Sequence, residues 1–123
     1  MKYQEIIAQV AERTGLFEGE AVKLTHATLA TLAERISGDE ARALATRLPG
    51  PMQDDLLPTN EQAETFSFDE FVNRVAERCG RDPTVSKDAV ETVLATLREA
   101  LPPGEFDDLL SDLPSEFHPS AAR

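Results

Sequence analysis

The chain has 123 residues, 41% hydrophobic and 28% charged, which excludes wholesale disorder, and a domain of this length buries roughly two-thirds of its unfolded surface. A net charge of −11, with the basic residues scattered singly, excludes the concentrated Lys/Arg stripe that nucleic-acid binding requires. Apolar runs of only a few residues exclude a membrane span, the charged start MKYQEIIAQVAERTG lacks a secretory apolar stretch, and the lone Cys79 excludes an internal disulfide; together they imply a cytoplasmic protein.

In chain order, Tyr3, Ile6, Ile7, Val10 and Ala11 recur at helical spacing and predict a first helix that stops at Gly15. A longer second helix carries the stripe Leu29, Leu32, Ala33 and Ile36. A short third follows through Ala41, Leu44, Ala45 and Leu48, ended by Pro49, because proline disfavours helical geometry in the residue before it. The segment GPMQDDLLP has room for one more helical turn, and the polar TNEQAET reads as a linker. Then the pattern restarts. Ser67 with Glu70 predicts a capping box ahead of Phe68, Phe71, Val72, Val75, Ala76 and Cys79, with Gly80 as the stop. Val90, Val93, Leu94, Leu97 and Leu101 form the second long stripe, and Phe106, Leu109, Leu110 and Leu113 a second short one before Pro114. The tail PSEFHPSAAR, with two prolines and small residues, is expected to fray.

The restart is a repeat. VAERTG at Val10–Gly15 returns as VAERCG at Val75–Gly80, and sliding the chain by 65 residues gives fifteen identities over the fifty-two positions from Lys2 to Gln53 without a gap. Among them are Leu29-Ala30-Thr31-Leu32 on Leu94-Ala95-Thr96-Leu97, Glu34 on Glu99, and Leu48-Pro49 on Leu113-Pro114. The expected fold is all-α: two tandem three-helix units packed into one pseudo-twofold bundle, since three short helices hardly close a core alone. The units are residues 1–57 and 67–118, with linker 58–66 and a frayed tail 119–123.

The stretch TLATLAERISGDEARALATRLP (Thr28–Pro49), together with FDEFVNRVAERCG (Phe68–Gly80) and EFDDLLSDLP (Glu105–Pro114), resembles a bacterial family known as domain of unknown function 2267. The resemblance rests on Leu29, Leu32, Arg35, the turn Ser37-Gly38-Asp39-Glu40, Leu44 and Leu48-Pro49, and it implies tandem helical repeats. It carries no catalytic residue across. The second copy departs from the pattern at Pro102-Pro103-Gly104, where the Ser-Gly turn is missing.

Individual residues give no catalytic constellation: no P-loop, G-x-G-x-x-G, G-x-S-x-G or CxxC occurs. His26 lies at the edge of an apolar stripe, its repeat counterpart is Glu91, and the only other histidine is His118 in the tail; a boundary position fits better than a ligand or base. Cys79 ends an apolar stripe and reads as a buried structural thiol. Asp108 and Asp112 share a helix face at i, i+4 with Glu105 a turn earlier, but no EF-hand loop or Glu-x-x-His pattern accompanies them, so a solvated acidic face is expected and no metal or cofactor. Arg13 and Arg78, repeated in both units, mark a shared ligand site, a solvated helix face, or a pair reaching a neighbouring helix. Arg35 is placed to pair with Asp39 or Glu40.

Charge also divides the halves: net −1 for Lys2–Gln53 against −7 for Ser67–His118. The expected role is therefore non-enzymatic. It is a helical interaction module that binds a protein partner or itself through an acidic face carrying Glu105, Asp107, Asp108 and Asp112, with no nucleic acid and no membrane. The alternative is a small-molecule or divalent-metal site between the units that uses Arg13, Arg78 or the Asp108/Asp112 pair.

Overall fold

The computed structural model describes residues 1–57, 61–111 and 113–117. Among them run seven α-helices and no strand: α1 (Tyr3–Thr14), α2 (Glu18–Arg35), α3 (Gly38–Ala45), α4 (Gly50–Gln53), α5 (Phe68–Arg78), α6 (Lys87–Ala100) and α7 (Glu105–Leu109). Two 3-10 turns, Asp54–Leu56 and Ser115–Phe117, complete the described elements. None of these helices is long and apolar enough to cross a membrane.

Local chemistry sets the boundaries. Gly15 turns left-handed at φ 75° and its N–H closes on the Ala11 carbonyl at 2.9 Å, ending α1 where only glycine adopts that geometry without strain. A full capping box starts α3: Ser37 Oγ accepts from the Glu40 N–H at 3.1 Å, and Glu40 Oε1 accepts from the Ser37 N–H at 2.9 Å. The box expected at Ser67 is only half formed. Ser67 Oγ accepts from Glu70 N–H at 3.1 Å, but the Glu70 carboxylate turns to Arg74 Nε at 2.9 Å, an ion pair one helical turn on. The segment after Pro49 supplies α4 and the first 3-10 turn, burying Met52 and Leu56.

The four longer helices make one core. α1 lies against α2 and also against α6, while α5 lies against α6 and also against α2, so each first helix touches the long helix of both halves. Positions that correspond in the repeat are buried alike: Val10 and Val75, Leu29 and Leu94, Leu32 and Leu97, Ile36 and Leu101, Met52 and Phe117.

Two expectations need correction. The tail is docked at least as far as Phe117, which is 1% exposed and meets the Phe68 and Phe71 rings edge-on at 5.2 and 5.4 Å; burial of one large ring outweighs the disordering effect of the flanking prolines. His118 lies outside the described residues. Arg35 pairs with neither Asp39 nor Glu40. Its Nε donates to the Phe66 carbonyl at 2.9 Å and its guanidinium sits 5.0 Å over the Phe117 ring, with burial pushing its pKa down. Arg42 takes Asp39 instead, at 2.7 Å, together with Glu61 of the linker at 2.8 Å. That linker is anchored further by Gly38 N–H on the Glu61 carbonyl at 3.0 Å and Glu64 N–H on the Glu34 carbonyl at 2.9 Å. A Cβ at Gly38 would meet only the end of the exposed Glu61 side chain, so a substitution there would turn that carboxylate aside.

Candidate functional site

The repeated arginine of VAER(T/C)G reaches across to the other half in both copies. Arg13 on α1 forks onto Glu99 of α6 at 2.6 and 2.9 Å and donates to Thr96 Oγ1 at 3.2 Å. Arg78 on α5 donates to Glu34 of α2 at 3.0 Å and to Thr31 Oγ1 at 2.8 Å. The threonines are fully buried, and each hydroxyl donates back to the carbonyl one helical turn earlier, Thr31 to Ala27 and Thr96 to Thr92, both at 2.8 Å. Each hydroxyl is thereby oriented to accept the guanidinium proton. All six residues fall on the same 65-residue shift. Of the three readings of Arg13 and Arg78, this geometry is that of a pair reaching a neighbouring helix. Thr31, Thr96, Glu34 and Glu99 stood among the repeat identities, and that recurrence was the available signal.

Glu34 also receives Arg74 at 3.4 Å, so one carboxylate gathers two guanidinium groups. The Arg78 hydrogen bond holds Glu34 below the usual carboxylate range against the opposing pull of burial, and the Arg13 hydrogen bond does the same for Glu99. A carboxylate whose folded pKa is depressed contributes stability above its unfolded pKa, and that contribution disappears as pH falls through the folded value. The thermal midpoint should therefore fall as pH drops below about 4.5. Glu34→Gln and Glu99→Gln together should lower the midpoint at neutral pH and flatten that acid slope. An unchanged slope in the double variant would remove the clamps from the acid linkage.

The acidic residues of the α7 region divide. Glu105 Oε1 accepts from Arg47 Nε at 2.8 Å, across the halves, and its Oε2 is buried without a hydrogen-bond partner among the described residues. Asp107 holds Arg98 at 3.0 Å. Asp108 is exposed and its carboxylate makes no hydrogen bond or ion pair among the described residues, and Asp112 lies outside them. So the structure brings Glu105 and Asp107 into the fold's own ion pairs and leaves Asp108 to solvent.

His26 has partners that the sequence did not reveal. Its Nε2 lies 2.8 Å from the Tyr3 hydroxyl and its Nδ1 against the Asp55 carboxylate, joining α1, α2 and the first 3-10 turn. No spacing rule connects residues 29 positions apart, so only the tertiary structure shows this clasp. Cys79 is 6% exposed, and burial, its largest influence, pushes the thiol pKa up, away from a reactive thiolate. No group of three or more His, Cys, Asp or Glu placed to hold a metal occurs among the described residues.

Comparison with curated proteins finds no match. The chain does match, over residues 3–119, the family described as "Uncharacterized conserved protein (DUF2267)". That span takes in both copies of the hexapeptide and every helix described above, so the chain belongs to the DUF2267 family.

Proposed function

We propose that this protein is a non-enzymatic helical interaction module of the cytoplasm, built from two units (1–57 and 67–118) and a linker, whose acidic second half meets a cationic face of a protein partner. One observation carries the reading. All eight arginines among the described residues donate to acceptors within the chain, from Arg13 on Glu99 to Arg98 on Asp107. In the second half, by contrast, Asp69, Asp88, Glu91, Asp108 and Glu116 make no hydrogen bond or ion pair through their carboxylates among the described residues.

The arginines thus act as internal ties, and apart from the scattered lysines Lys2, Lys23 and Lys87 the charge left for solvent is negative. Such a field steers cationic partners and repels phosphate backbones. It supports a protein face rather than nucleic acid. Arg47 and Arg98 neutralise Glu105 and Asp107, so among the described residues of the α7 region Asp108 is the better probe.

Association with octalysine at low salt, measured by calorimetry, should weaken steadily as ionic strength rises. Asp108→Lys with Asp112→Lys should lower the affinity several-fold while the far-ultraviolet dichroism stays helical. Salt-independent binding, or equal affinity for the variant, would contradict the acidic-face reading.

A further inference from the structure

At one end of the bundle, the α1–α2 connection meets the α5–α6 connection and a groove of about 240 Å³ opens between them. Six of its lining residues are matched positions of the repeat: Phe17 corresponds to Asp82, Gly19 to Thr84, and Glu20 to Val85. The groove therefore straddles the seam between the halves, yet the two sides differ chemically. Leu24, at 1% exposure, lines it with the half-buried Leu16 and Val85, while Phe17 stands 83% exposed beside it. A second depression of about 160 Å³ shares Leu16 and Thr84 with the first and leads to Asp88 at the start of α6.

The size and openness argue for a side chain rather than an enclosed small molecule, since ligand pockets that bury a whole compound run from about 300 Å³ upward. A single bulky apolar anchor in a small desolvated pocket is the usual centre of a protein interface. Charge specifies the anchor's neighbours. The groove's own lining carries two carboxylates, Glu20 and Asp82, against one cation, Lys23. The adjoining depression adds Asp88, whose carboxylate makes no hydrogen bond or ion pair among the described residues, while Arg13 beside it is engaged by Glu99.

We infer that this groove docks a cationic amphipathic segment of a partner protein, with a leucine-sized side chain seated against Leu16, Leu24 and Val85 and basic residues meeting Asp82 and Asp88. The inference rests on the interaction-module reading and gives it a second site, at the end of α6 opposite to α7.

Gly19 provides the decisive variant. It lines the groove, sits in α2 with an ordinary backbone, and a Cβ placed there meets nothing within 4 Å. Gly19→Leu fills the groove without displacing core, and the thermal midpoint should hold or rise, because glycine is the poorer helix former. The probes are a short Leu/Lys amphipathic peptide and a Ser/Lys peptide of equal length and charge, titrated against the full chain at low salt. The Leu/Lys peptide should bind at least tenfold more tightly, shift the amide resonances of Leu16, Phe17 and Val85, and lose that margin on Gly19→Leu. Equal affinity for the two peptides, or a margin that survives Gly19→Leu, overturns the groove while the acidic-surface reading stands. Failure of both peptides to bind overturns both. A dimer of the free protein that Gly19→Leu dissociates assigns the groove to a second copy, and a small molecule retained in the native mass spectrum assigns it to a ligand; either result overturns the peptide assignment.

Discussion

Phe71→Ala will lower the unfolding free energy by about 3 to 5 kcal/mol. The ring is 0% exposed, stacks on Phe68 at 5.7 Å and receives Phe117 edge-on at 5.4 Å, with Phe66 at 6.3 Å. Its removal takes away a large buried surface and leaves a cavity that three fixed rings cannot collapse into. It also loosens the platform on which Arg35 rests, since that guanidinium lies over Phe117 and is tied to the Phe66 carbonyl. Denaturant titration measures the loss directly. A midpoint equal to that of the parent protein would place Phe71 outside the core.

Leu29→Ala and Leu94→Ala will each cost about 2 to 5 kcal/mol. The two leucines hold the same place in the repeat, on α2 and α6, and are 0% and 1% exposed. Because α2 and α6 touch each other and share α1 and α5 as neighbours, either truncation weakens a core common to both halves. The effect should appear on one unfolding transition whichever half carries the substitution. Wild-type stability in either variant would contradict the packing described here.

Helix positions were legible because periodicity and punctuation agree in this chain. Tyr3 to Ala11 marks a face, Gly15 stops it, and α1 ends at Thr14 as that pattern requires. The repeat added a second reading of the same signals, and its identities contain the whole arginine clamp: Arg13 with Thr96 and Glu99, Arg78 with Thr31 and Glu34. What periodicity cannot report is which element stands opposite a face. Arg35 therefore went to the nearest acids in sequence, although a carbonyl and two rings far along the chain hold it. His26 lacked partners for the same reason, since Tyr3 and Asp55 reach it from separate elements. The tail was judged by prolines and small residues, and the single buried ring of Phe117 reversed that local preference. The groove at the seam is a property of two loops meeting, and nothing in either loop alone describes it.

The most direct test of the account is calorimetric unfolding of the whole chain beside Leu29→Ala and Leu94→Ala. Two repeated halves share one core and are tied by the crossed arginine clamps. One transition with equal calorimetric and van't Hoff enthalpies is therefore expected, moved as a whole by either substitution, by on the order of 10 °C. Two transitions, of which Leu94→Ala moves only one, would contradict it and return the halves to independent folding units.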